Sequence, residues 1–175
     1  QYALAQTESL YSGSGRVVRA TTVQEVMDAL VESTALRRLD RANIVLYDHP
    51  WVNQMPNTGT VIAVCEQNGE PPRAPVGTVY QARQFPSIEL FSANHPTLFQ
   101  DVTTDERIDP NLRSLMLDRL GMRSLFVFPF IIGSQWWGFI SGQASQTAHL
   151  TDEEVRQITS PSEQAATVIQ TLRLF

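Results

Sequence analysis

Three histidines, a single cysteine, an Asp and an Arg in the second half and a Trp-Trp step are the residues of this chain with binding or reactive chemistry. Asp101, in "FQDVTTDERID", can offer a carboxylate to a ligand amine or hydroxyl; its simpler use is to cap the turn through Thr103 and Thr104. Arg113, in "NLRSLMLDRL", can pair with an anionic ligand group or form a surface salt bridge with Asp109 or Glu106. His95 precedes Pro96 at an expected helix end, where an imidazole caps carbonyls; as a haem ligand it would need a large apolar cavity. His49 and His149 fall in separate loops and suggest no metal site. Cys65 sits in a strand pattern as a small core residue. Trp136 and Trp137 point to opposite faces of a strand, so they form no aromatic cage; Trp136 is placed to border a pocket and Trp137 to fill the core. No Ser-His-Asp order, metal triad or glycine-rich phosphate loop occurs, and no enzymatic activity is expected.

Composition excludes more. All 13 basic residues are arginine, which removes any phosphate-loop, Schiff-base or kinase-type lysine. With a net charge of −5 the chain has no basic surface for nucleic acid or anionic lipid, and neither partner is expected. One cysteine rules out intramolecular disulfides and cysteine-rich zinc sites and fits a reducing, cytoplasmic compartment. The first residues, "QYALAQTESLYSG", have neither a basic start nor a long apolar run, so no signal peptide is expected in them. Without an initiator Met, the chain reads as a piece of a longer protein.

The elements that must position these residues follow from periodicity and caps. Residues 2–19 read as a helix weakened by Gly13 and Gly15. Thr22-Val-Gln-Glu25 is a capping box that opens a second helix, with Val26, Met27, Leu30 and Val31 at helical spacing. Strands are expected at Ala42–Asp48, Thr60–Glu66 and Gly77–Arg83, then a short helix from Pro86, a short strand in "TLFQDV", and a helix from Pro110 closed by Gly121. Thr151-Asp-Glu-Glu154 is a second capping box. Beyond it Val155, Ile158, Ser162, Ala165, Ile169 and Leu172 form a heptad seam, which Pro161 should kink or break.

Between them lies the most apolar stretch, "GMRSLFVFPFIIGSQWWGFISGQ", from Gly121 to Gln143. A membrane helix needs about 20 uninterrupted apolar residues, and Gly133-Ser134-Gln135 splits this run, so no membrane insertion is expected. A two-residue turn at Gly133-Ser134 pairs Ile132 with Gln135, Phe130 with Trp137, Phe128 with Phe139 and Phe126 with Ser141. In that register Phe126, Phe128, Phe130, Trp137 and Phe139 share one face. Leu125, Val127, Pro129, Ile131, Trp136, Gly138, Ile140 and Gly142 share the other, whose glycines leave space for a ligand unless Phe99, Leu112 and Met116 fill it. Pro129 should also weaken pairing with the strand on its other side.

The order of elements from Leu10 onward resembles a GAF domain, a sensor module related in fold to PAS, over about 160 residues. The resemblance rests on "LVESTALRRLDRANIVLYD", "FQDVTTDERID", the hairpin and "LTDEEVRQITSPSEQAATVIQTL". It implies an α+β fold: a central antiparallel sheet of five or six strands, terminal helices on one face, and a pocket under loops and short helices on the other. The implied ligand-binding candidates are Phe99, Asp101, Arg113, Met116, Leu117, Leu125, Val127, Trp136, Ile140 and Gly142. The implied connector and dimer contacts are Val155, Ile158, Ala165, Ile169 and Leu172. Residues 1–20 would be a connector helix, 21–160 the sensor domain and 161–175 a second connector.

Within that family, Asp101 occupies the place of the Asp in the Asp-Ile-Pro triplet of bilin-binding domains. Here Val102-Thr103 replaces Ile-Pro, no histidine follows near Arg113, and no cysteine lies nearby for a thioether, so covalent bilin is not expected. The lysine-containing motif of cyclic-nucleotide binders and the cysteines of free methionine sulfoxide reductases are absent. The resemblance therefore implies a cytoplasmic regulatory domain of a bacterial signalling protein such as a histidine kinase. It would bind an unidentified small molecule non-covalently, form a homodimer through its terminal helices and signal to an output domain of the same chain. A ligand-free dimerisation and spacer module is the alternative.

Overall fold

The computed structural model describes residues 15–173. Residues 15–19 are helical, so most of the connector helix expected over 1–20 lies outside the described residues. Helix α1 (Val23–Ser33) starts at Thr22, whose hydroxyl accepts from the Glu25 N–H at 3.1 Å. The reciprocal bond of the capping box closes one residue early, from the Thr21 N–H to Glu25 Oε2 at 2.7 Å.

Six strands follow: β1 (Arg41–Tyr47), β2 (Thr58–Glu66), β3 (Val79–Gln81), β4 (Thr97–Phe99), β5 (Ser124–Ile132) and β6 (Gln135–Ala144). They form one sheet in the order β3-β2-β1-β6-β5-β4 with every neighbouring pair antiparallel. Helix α2 (Pro110–Ser114) continues into a wide π turn (Leu115–Arg119), and helix α3 (Asp152–Arg173) ends the described chain. One face of the sheet, with Ile44, Phe126, Phe128, Phe130 and Ile140, packs on α1 and α3. The other, with Tyr47, Leu125, Val127 and Trp136, lies under the segments between β3 and β5. The α+β architecture implied by the sequence is the one observed.

The hairpin register differs from the simple two-residue-turn reading. Gly133, at φ +63°, does turn the chain and Ile132 does face Gln135. Then Ile131 pairs with Trp136 while Phe130 pairs with Gly138, which leaves Trp137 as the extra residue of a β-bulge. Every later pair is shifted by one: Phe128 faces Ile140 and Phe126 faces Gly142. The slip moves Gly138, Ile140 and Gly142 to the helix face and Phe139 and Ser141 to the opposite one. Gly142 does not relieve a pocket. A Cβ there would lie 2.6 Å from Leu36 and 2.7 Å from Leu39, so glycine admits the turn that follows α1. At Gly138 a Cβ would lie 2.0 Å from the Val45 carbonyl oxygen, so close approach of the β1 backbone demands glycine. On the outer side, β4 pairs with β5 only from Leu125 to Val127 and stops short of Pro129, which has no N–H for a ladder.

Helix α3 begins with the expected box: Thr151 N–H donates to Glu154 Oε1 at 2.9 Å and Glu154 N–H to Thr151 Oγ1 at 3.1 Å. Arg38 grips the same Glu154 carboxylate with two bonds of 2.9 and 3.0 Å, tying the helix start to the turn after α1. Of the two outcomes expected at Pro161, a break does not occur: the helix runs continuously from Asp152 to Arg173. Pro161 is itself buried, between Ile158 and Ser162 on the buried side of the helix, and this burial offsets the missing i→i−4 bond. The heptad seam is also used differently. Ile158, Ala165 and Ile169 are fully buried within the chain, Val155 packs at the edge of the same core, and only Leu172 is exposed. A seam through these residues is satisfied by this chain's own α1 and sheet. Ile169→Ala should therefore lower stability by about 2–4 kcal/mol in urea titrations, by the same amount at every protein concentration; a dimer seam would make the loss concentration-dependent.

Candidate functional site

Between the second face of the sheet and the segments from Tyr80 to Leu120 lies a cavity of about 80 Å³. Its floor comes from β1 (Asn43, Val45, Tyr47), β5 (Leu125, Val127) and β6 (Phe139, Ser141, Gln143). Its roof comes from the two 3₁₀ turns Ala82–Gln84 and Pro86–Leu90, from Phe91, and from α2 and the π turn, which contribute Leu112, Met116 and Leu120. An apolar cavity of about 150 Å³ takes benzene, so the space present admits only a smaller body unless the roof moves.

A latch holds that roof. Asp109 caps α2 by accepting from the Leu112 N–H at 2.8 Å and also accepts from the Ser87 N–H at 2.8 Å. The Asp109 N–H in turn donates to the Ser87 hydroxyl, so the Pro86–Leu90 turn and α2 are fastened reciprocally. Burial works to raise the Asp109 pKa, but the bonds from Ser87, Leu112 and Asn111 outweigh it and hold the group ionised below its usual range.

The floor carries a buried polar chain. Ser141 donates to Asn43 Oδ1 at 2.6 Å, Gln143 Nε2 donates to Ser141 at 3.1 Å, and Arg41 Nη1 donates to Gln143 Oε1 at 2.8 Å. Arg41 Nε completes the row by pairing with Glu66 at 2.9 Å. Three buried donors find no partner among the described residues, the Tyr47 hydroxyl, Arg41 Nη2 and Arg123 Nε. Burial raises the pKa of the Tyr47 phenol, which remains a neutral donor. Orphan donors are uncommon in protein interiors; Tyr47 lines this cavity, where a ligand acceptor would satisfy its hydroxyl.

Comparison with known proteins fits this architecture. The family description "GAF domain" matches residues 19–169, which is most of the chain. The chain belongs to the GAF family. GAF domains are sensory and regulatory modules of signalling proteins. Similar solved structures include the chromophore-binding domain of the bacteriophytochrome RpBphP3 from R. palustris, at 15% identity and a TM-score of 0.74. That match covers 98% of this chain but 62% of the phytochrome domain, so the chain spans less than two thirds of it. The phycoerythrobilin-bound GAF domain of a cyanobacterial phytochrome matches at 19% identity and a TM-score of 0.70, over 97% of each chain. The GAF domain of an Acinetobacter phosphoenolpyruvate-protein phosphotransferase matches at 14% identity and a TM-score of 0.69, over 95% of this chain and 94% of that one. No curated protein sequence matches this chain significantly.

Within this GAF domain the sequence-predicted residues separate. Met116, Leu125 and Val127 line the cavity. Phe99 and Leu117 belong to the surrounding core without lining it, and the Arg107 guanidinium lies 4.8 Å from the Phe99 ring centre. Trp136 stacks on Trp51 at 4.5 Å and donates from Nε1 to the Gly138 carbonyl, so it buttresses one end of the floor. Ile140 and Gly142 lie on the opposite face. Arg113 makes no salt bridge to Asp109 or Glu106; it donates to the carbonyls of Val102, Asp105 and Ile108 and staples the preceding loop. His95 bonds the neighbouring Pro96 carbonyl, and His149 contacts Gln100. The residues missed by sequence reasoning are Arg41, Asn43, Ser141 and Gln143. Their signal was a polar residue at every second position of two strands that are otherwise apolar.

Asp101 has the turn role. It accepts from the Thr103 hydroxyl and N–H and from Arg123, which together lower its pKa from 3.8 to about 2. A lowered native pKa stabilises the fold fully above the unfolded value and is lost as pH falls through the folded one. The melting-temperature gap between wild type and Asp101→Asn should therefore be constant above about pH 5 and close between about pH 4 and pH 2. A gap independent of pH would contradict the assignment.

Proposed function

We propose that this GAF domain is the regulatory sensor of a larger cytoplasmic bacterial signalling protein. It binds a small molecule non-covalently and passes the bound state through its terminal helices to an output domain of the same chain, such as a histidine kinase. The observation that carries this reading is the position of the cavity. Leu125 and Val127 face it from β5, while Phe126, Phe128 and Phe130 of the same strand pack under α1 and α3. A ligand that displaces β5 alters the seat of the helices, and its differential affinity for the two arrangements is the signal. Two copies would pair through the outward faces of the terminal helices, where Leu172 remains exposed.

Covalent bilin is not the ligand we propose. A linear tetrapyrrole is far larger than a space of about 80 Å³. Cys65 packs against the helix-side core, and burial together with Asp28, Glu66 and Glu32 pushes its thiol pKa up, away from the reactive thiolate. The small cavity equally favours a second reading, in which Leu112 and Met116 fill the site and the domain only spaces and pairs its neighbours.

A thermal-shift and native mass-spectrometry screen against a metabolite panel separates the two. On the sensory reading a compound raises the wild-type melting temperature, and Val127→Phe, which occupies the cavity, abolishes that shift while the protein stays folded. If no compound shifts the wild type and Val127→Phe is neutral or stabilising, the spacer reading holds.

A further inference from the structure

Beyond the apolar cavity, on the other side of Leu120, lies a second cavity of about 170 Å³ with a polar lining that includes Asp40, Arg41, Glu66, Asn68, Glu70 and Arg73. Leu120 lines both spaces. A hydrogen bond also links them: Gln143 lines the first cavity, Arg41 lines the second, and the two side chains are bonded at 2.8 Å. Leu120 follows the π turn, its N–H reaching back to the Leu115 carbonyl at 3.0 Å, so the wall stands on a stretch of wide, non-α backbone.

We propose that the two cavities are halves of one elongated site for an uncharged amphipath: a hydrocarbon body in the apolar half and a carbonyl or amide head in the polar half, where its oxygen accepts from Arg41 Nη2. This deepens the sensory reading and rests on it. Arg41 is 1% exposed and its Nη2 has no partner among the described residues, so an acceptor placed there satisfies a buried charged donor. The charge balance argues against ionic heads. Arg41 is already neutralised by Glu66, Asp40 is held by the Ser145 N–H and hydroxyl, and Glu70 adds a further carboxylate against Arg73. A carboxylate head would meet more negative than positive charge, and an ammonium head, having no acceptor, would leave Arg41 Nη2 unsatisfied beside a second cation. An amide oxygen meets neither penalty.

The test uses hexanamide, hexanoate and hexylamine, one chain with three heads, titrated against the intact domain by calorimetry. Hexanamide should bind at least about tenfold more tightly than either ionic probe, and Leu120→Ala, which trims the side chain shared by both cavities, should tighten it further. Arg41→Met/Glu66→Gln, which removes the ion pair without leaving a buried charge unpaired, should erase the preference among heads. If that double variant does not fold, the Leu120→Ala titration decides alone. Equal binding of hexanoate or hexylamine, or no gain in Leu120→Ala, overturns the proposal while leaving the apolar cavity as a binding site. If none of the three probes binds either wild type or Leu120→Ala, the joined site is overturned, and the sensory reading is decided separately by the panel and Val127→Phe.

Discussion

Between Phe130 and Ile131 the β5–β6 ladder slips by one residue, and the rest of the molecule is arranged around that slip. Side chains alternate across a sheet with a period of two, so one extra residue exchanges the faces of everything beyond it. With the bulge at Trp137, the small residues Gly138 and Gly142 turn toward β1 and the α1 turn, where any Cβ would collide. Ser141 and Gln143 turn the other way, where Asn43 and Arg41 of the neighbouring strand can bond them. Without the slip, two buried polar side chains would sit under the helices unpaired, and two glycines would open voids over the cavity.

The sheet is therefore a wall shared by two different interiors. The helix side is an apolar core built on Phe126, Phe128, Phe130, Ile158 and Ile169. The opposite side combines aliphatic and aromatic side chains with a hydrogen-bonded row and two unsatisfied donors. Close-packed cores transmit displacement rather than absorb it, so a strand with side chains in both interiors couples them. The roof is less regular, made of two 3₁₀ turns, a five-residue helix and a π turn fastened by the Ser87–Asp109 latch. Irregular cover over a rigid floor is the part of such a fold able to rearrange around a ligand.

Much of this was legible in the sequence. Both capping boxes located helices, alternation located β1 and β2, Gly133 located the hairpin turn, and Pro129 foretold where β4 stops pairing. The bulge was not legible, because "QWWGF" satisfies either register until the Val45 backbone is known to approach Gly138. That one omission misplaced Ile140 and Gly142. The heptad of α3 was real, but periodicity alone does not distinguish a partner helix from the chain's own sheet. Arg113 and Asp101 carry ligand-like chemistry, and their actual partners are loop carbonyls, a turn and Arg123, which become neighbours only once the loop is folded. Arg41 was hidden because an arginine at a strand start reads as solvent-exposed, whereas here Glu66 and Gln143 bury it.

The face of β5 and β6 carrying Val127 and Phe139 borders an accessible apolar cavity, whereas Ile140 on the other face is packed under the helices. Methyl NMR of the domain under xenon pressure tests it most directly, because xenon enters small apolar cavities without any headgroup requirement. Shifts centred on Met116, Leu125 and Val127 are expected. Shifts centred on Ile140 and Ile158, with Met116 unmoved, would contradict it.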